Sequence, residues 1–175
     1  MTSHLPHRCA DDFASLSPQE KSALLASAQA LSDTRRTGAV PPALHGRNIG
    51  LLCGAAADAS DIALLTQAAA ALGCRVARVG PDLPSGSTPQ RLQASAQLLG
   101  RLYDAVVCLG VEPDLVHGLG KNAGIPVFDS IGTPGHPIAT LADAWAAAPV
   151  GSVALGTPAE RRCALIQAVL LDALS

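Results

Sequence analysis

Aromatic residues are almost missing from this 175-residue chain: Trp145, Tyr103, Phe13 and Phe128 are all it has, 2% of the sequence. A core without rings must come from Ala, Leu, Val and Ile, and apolar residues reach 49%. Small apolar side chains suit helices packed closely on a sheet. Lysine is equally scarce, with only Lys21 and Lys121, and the formal net charge is -2 with a pI near 6.2. That balance excludes a nucleic-acid surface, and the cluster Arg35, Arg36 and Arg47 is too small to reverse it. No apolar run is long enough to span a membrane, and residues 1–12 lack a signal-peptide core, so a cytoplasmic protein is expected. The five cysteines, Cys9, Cys53, Cys74, Cys108 and Cys163, show no C-x-x-C spacing. Buried reduced thiols are expected, with no metal site and no cofactor. Only Cys9, near His4 and His7, is placed for adventitious metal binding.

The length fits one domain. Ser17-Pro18-Gln19-Glu20 starts a helix, with Ser17 as cap, Pro18 in the first turn and Glu20 completing a capping box. Leu24, Leu25, Ala28 and Leu31 continue it at helical spacing. Apolar runs predict strands near 48–54, 74–80, 104–110 and 125–129. Helices are predicted between them: 58–72, capped by Asp58 or Ser60 and stopped by Gly73, then 88–102 and 115–122. His136-Pro137 leads into a further helix through Trp145, and Pro158 opens the last one. Alternation at this spacing predicts a three-layer αβα, Rossmann-like α/β fold with a four-stranded, mainly parallel sheet. Residues 1–15 are expected to be disordered, and 150–157 to form a linker.

Ala159-Glu160-Arg161-Arg162, followed by the apolar run Cys163 to Leu171, resembles the closing helix of the aspartate/ornithine carbamoyltransferases. Further resemblance lies in Leu16 to Glu20, His45 to Leu52, Tyr103 to Val107, Ala123 to Asp129, and His136-Pro137-Ile138-Ala139-Thr140-Leu141-Ala142-Asp143. The resemblance implies that 16–149 form a carbamoyl-phosphate-binding-like domain and that 158–175 form a closing helix packed on it. The second-domain motifs that handle the amino-acid substrate have no counterpart here.

The departures bear on function. In the family an S-T-R-T-R signature holds the phosphate at a helix N-terminus. The matching positions here are Asp58-Ala59-Ser60-Asp61-Ile62, with both arginines replaced and two carboxylates added. Each carboxylate repels a phosphate charge by about 1 kcal/mol even in water, against roughly 0.3–1 kcal/mol returned by the helix dipole. No Lys or Arg nearby in sequence restores the field. The family's carbamoyl-polarising arginine is replaced by Leu109, its glutamine by Ala139, and its lysine-bearing loop by Pro84 to Thr88.

His136 alone is retained from the family's carbamoyl contacts. It is either a ligand donor or, with Pro137, a rigid turn that sets the next helix. Ser60 and Asp61 are either simple capping residues or a new polar site. Arg161 and Arg162 read as helix-start packing and surface salt bridges, His117 as a surface residue and Trp145 as a core anchor. Gly118 to Gly124 has the wrong context for a dinucleotide loop. No catalytic residue is assigned. The expectation is a degenerate, non-catalytic binding or regulatory module taking a small-molecule ligand. By resemblance it would form a homo-trimer or associate with a full-length carbamoyltransferase. One alternative is carbamoyl transfer completed by a partner subunit. Another is a sensor of neutral or cationic ligands over Asp58 and Asp61.

Overall fold

A computed structural model describes residues 7–8, 10–38, 42–80, 88–147 and 156–175. The elements run β1 (His7–Arg8), α1 (Ala10–Ala14), α2 (Pro18–Thr37), β2 (Asn48–Cys53), α3 (Ala59–Ala71), β3 (Arg75–Val79), α4 (Pro89–Leu102), β4 (Ala105–Leu109), α5 (Pro113–Ala123), β5 (Val127–Asp129), α6 (Pro137–Ala147) and α7 (Pro158–Leu174). The strands pair in the order β1-β5-β4-β2-β3, all parallel. The expected α/β architecture is present, with its four strands at the predicted places. It gains a fifth, the two-residue β1 on the edge of β5, with His7 opposite Val127 and Arg8 opposite Phe128. Helix α1 lies within this N-terminal stretch, and its Phe13 is buried in the main core. The loop Pro84 to Ser87 and most of the linker at 150–157 lie outside the described residues, as does Cys9.

Local chemistry accounts for the helix ends. Ser17 and Glu20 form a reciprocal capping box at α2, and Thr157 and Glu160 form another at α7. Asp58 caps α3 by accepting the Ser60 N–H. The segment Gly118 to Gly124 is helix α5 with a left-handed glycine at its end, not a nucleotide loop.

Helices α4 and α5 cover one face of the sheet, over Leu52, Val106, Cys108 and Val127. The other face carries α3, α6 and α7. Helix α7 packs against α2, α3 and α6, and every residue from Cys163 through Leu170 is buried. A helix apolar on all sides belongs inside a domain. Leu165, Ile166, Val169 and Leu170 are fully enclosed, each contributing about 1.5–3 kcal/mol of burial. The chain's last helix is thus a central core element beside α2. Gln167, also buried there, donates to the Ala68 carbonyl at 3.1 Å and accepts from Arg35 at 3.1 Å, tying α7 to α3 and α2. Trp145 is buried in the same core and His117 is exposed on α5.

Candidate functional site

The chain runs from β2 to β3 on one side, then returns to place β4 on the other. In an open parallel sheet, the divergence of connections beyond such a strand pair leaves a ligand crevice at the carboxyl ends. Here the two turns that would flank it are in backbone contact. The Gly54 N–H donates to the Leu109 carbonyl at 2.8 Å. A Cβ at Gly54 would lie 1.8 Å from the Gly110 carbonyl oxygen, and one at Gly110 would lie 2.4 Å from the Ala57 nitrogen. Only glycine permits this approach. Leu109, where the resemblance puts an arginine, is buried in the main core. A surface depression of about 520 Å³ opens at the amino-terminal edge of the sheet, between Arg47, Tyr103, Asp104 and Pro126.

Ser60 and Asp61 sit in the first turn of α3. Ser60 Oγ donates to Asp58 Oδ1 at 2.6 Å and the Ser60 N–H donates to the same oxygen at 2.7 Å. These bonds hold the Asp58 carboxyl below its usual range, so it is a committed carboxylate cap. Asp61 is different. Its side chain is only 10% exposed, and burial pushes its carboxyl above the usual range, while Arg162 pulls it back and Asp58 pushes it further up.

Arg162, on the first turn of α7, corrects the expectation that no basic group restores the field. Its Nη1 lies 3.8 Å from Asp61 Oδ1 and donates to the Gly132 carbonyl at 3.1 Å. It therefore links the start of α3 to the loop that leads into α6. Arg161 is not a surface residue either: its Nε donates to the Ala142 carbonyl at 3.1 Å and its Nη1 to the Gly156 carbonyl at 2.7 Å. That loop also holds Ser130, a non-glycine residue at φ 51°, whose Oγ donates to Asp129 Oδ1 at 2.9 Å and whose N–H donates to the Cys108 carbonyl at 2.8 Å. A non-glycine residue in the left-handed region is uncommon. No sequence signal marks Ser130. The position of Arg162 follows only from the packing of α7.

His136 is 2% exposed. Its Nδ1 accepts the Ile138 backbone N–H at 3.2 Å, so the proton of the neutral ring sits on Nε2. Among the described residues Nε2 is buried without a partner. Burial lowers the His136 pKa to about 4, so the ring is neutral near pH 7. Phe13 lies edge-on to it, with ring centroids 5.0 Å apart at 67°. Pro137 is the first residue of α6 and is half-buried, as a rigid turn requires. Ala139 is buried and offers no polar group. Among the described residues, no three His, Cys, Asp or Glu side chains cluster as a metal site requires, and no helix is long and apolar enough to cross a membrane.

The fold defines a class: a parallel α/β domain with a topological switch point between β2 and β4. No protein-family model matches the chain. The ornithine carbamoyltransferase of Cutibacterium acnes is 31% identical over 144 residues, covering 82% of this chain and 43% of that protein. The structure of ornithine carbamoyltransferase from Pyrococcus furiosus superposes with a TM-score of 0.66 at 20% identity, over 83% of this chain and 46% of the other. A putative aspartate carbamoyltransferase of Leishmania major gives a TM-score of 0.61 at 22% identity, over 76% and 41%. The chain spans under half the length of these relatives. Its sequence and fold are similar to the N-terminal part of ornithine and aspartate carbamoyltransferases.

Proposed function

We propose that this domain is a degenerate carbamoyltransferase module that binds a small molecule or a partner without transferring a carbamoyl group. The observation that carries the reading is the chemistry at the start of α3. The two positions matched to phosphate-binding arginines are Ser60 and Ile62, and they are flanked by the carboxylates Asp58 and Asp61. Arg162, the basic group nearby, is engaged by Asp61. Carbamoyl transfer needs donors aimed at developing charge, and losing one costs roughly 2.7–4 kcal/mol of barrier. Arginine is replaced at Ser60, Ile62 and Leu109, and glutamine at Ala139. The backbone contact between Gly54 and Gly110 supports the same reading, since it narrows the crevice a phosphate would enter. Association with itself as a trimer, or with a full-length carbamoyltransferase, fits such a module. A thermal-shift screen with carbamoyl phosphate, phosphate, amino acids and nucleotides tests the binding role. A shift with carbamoyl phosphate alone would count against it, and a shift with a neutral or cationic compound would support it.

A second reading is carbamoyl transfer completed by a partner subunit. It is favoured by one observation: His136 keeps a fixed Nε2 donor inside the fold with no partner among the described residues. Mixing the chain with a full-length carbamoyltransferase tests it. An increase in product above that of the partner alone, lost in His136→Ala, would favour this reading over the first.

A further inference from the structure

We propose that the outward face of α4 is a docking surface for an acidic amphipathic helix of another protein. Leu98 and Leu102 are 56% and 57% exposed, the large apolar side chains left open to solvent among the described residues. They stand one turn apart. Arg91, Ala94 and Arg101, also exposed, fall in the same three- and four-residue rows, so all five share one side of the helix. A single exposed leucine is ordinary, but two stacked in one row form an apolar ridge. Two depressions adjoin that ridge. One of about 520 Å³ is bordered by Arg101 and Leu102, another of about 540 Å³ by Ala94, Leu98 and Arg101, and Gly100 lies at the edge of both. Packing dictates that glycine: a Cβ there would lie 2.0 Å from the Ala123 carbonyl oxygen at the end of α5. A helix laid along α4 would set its side chains in the depressions and cover the leucines, as ridges pack into grooves. Charge names the partner. α4 carries Arg91 and Arg101 and no Asp or Glu, although the chain as a whole has a net charge of -2. Among the described residues neither guanidinium has an ion-pair partner. Asp104, just beyond the helix, is already held by Arg47 at 2.9 Å and by the Asn48 N–H at 2.8 Å. A partner bearing carboxylates beside an apolar stripe therefore meets unpaired arginines beside an apolar ridge, and that complementarity selects it. A second copy presenting the same face would bring arginines toward arginines, which like charge disfavours. The α3 start takes no part in this surface, so its occupancy is independent of phosphate binding there.

The test is selection of a displayed library of helical peptides against the full chain. Leucine is fixed at one apolar stripe, and the remaining positions vary among Glu, Lys, Gln and Ala. Selection should enrich Glu over Lys. The best peptide, measured by fluorescence anisotropy, should bind more weakly as salt rises. Leu98→Gln with Leu102→Gln should weaken it about 10-fold or more. Glutamine keeps a helix propensity close to that of leucine, so the melting temperature should stay at the parent value. Arg91→Glu with Arg101→Glu should weaken the peptide about 10-fold at low salt and turn the selection toward lysine. The proposal is overturned if no peptide is selected, or if Lys is enriched as often as Glu. It is also overturned if the selected peptide binds either double variant as tightly as the parent. Sedimentation of the parent as an oligomer that Leu98→Gln with Leu102→Gln dissociates would make the occupant a second copy, and would overturn it too.

Discussion

Replacing Asp61 by asparagine removes a charge without changing side-chain size. Asp61 stands 3.8 Å from Arg162 with little solvent around it, and its raised carboxyl pKa means that burial outweighs the arginine's attraction. In the linkage between pH and stability, a carboxyl with a raised folded pKa is a liability once ionised, so Asp61→Asn should leave stability at pH 7 unchanged or slightly higher. The effect on anions should be much larger. A phosphate dianion near α3 meets the Asp61 charge at about 1 kcal/mol per charge pair in water, or about 2 kcal/mol in all, and relief of that repulsion corresponds to roughly 30-fold in Kd. The same substitution frees Arg162 from its carboxylate partner, which adds in the same direction. Adding Asp58→Asn should increase the gain further while an asparagine cap is kept. Calorimetry with carbamoyl phosphate and inorganic phosphate at low salt measures this, and the gain should shrink as salt rises. Arg162→Gln in the Asp61→Asn background should reduce the gain to the part that comes from relieved repulsion. Tight binding by the unmodified chain, or a gain indifferent to Arg162, would refute the electrostatic account of this helix start.

Three other outcomes follow from buried groups. His136 has a lowered folded pKa, about 4 against 6.5, so its contribution to stability is fully present above pH 6.5 and is lost as pH falls from about 6.5 to about 4; the loss is on the order of 3 kcal/mol. Denaturant midpoints over that range should fall in the parent and stay flatter in His136→Leu. Leu165→Ala, inside the α7 core, should cost about 2–5 kcal/mol, read from urea unfolding. Cys74 and Cys108, whose thiols burial pushes up to about 11 and about 12, should resist thiol reagents at pH 8 until the domain unfolds.

β2 and β4 are legible in sequence because each is an apolar run bounded by turn residues and buried on both faces. The α2 start is legible for the same kind of reason: Ser17, Pro18 and Glu20 satisfy local backbone donors, and local chemistry survives without tertiary context. The Thr157–Glu160 box obeys that rule too, although Pro158 is the more obvious sign. β1 escapes such reading because two residues have no periodicity, and its pairing with Val127 and Phe128 is a tertiary event. Phe13 stands in a short polar stretch, where its burial depends on α6. The site is legible only as residue types. Asp58 and Asp61 stand out in sequence as two carboxylates at a helix start, but their different fates do not show there: one is a solvated cap and the other a largely buried partner of Arg162. The backbone contact of Gly54 with Gly110 is likewise invisible, since two isolated loop glycines carry no pairing signal.

Product formation tests the central claim most directly. The purified chain would be incubated with carbamoyl phosphate and either ornithine or aspartate, and citrulline and carbamoyl-aspartate would be quantified. The missing donors at Ser60, Ile62, Leu109 and Ala139 predict no product above the uncatalysed background. Measurable turnover that disappears in His136→Ala would contradict the account and show that the domain still performs the chemistry of its relatives.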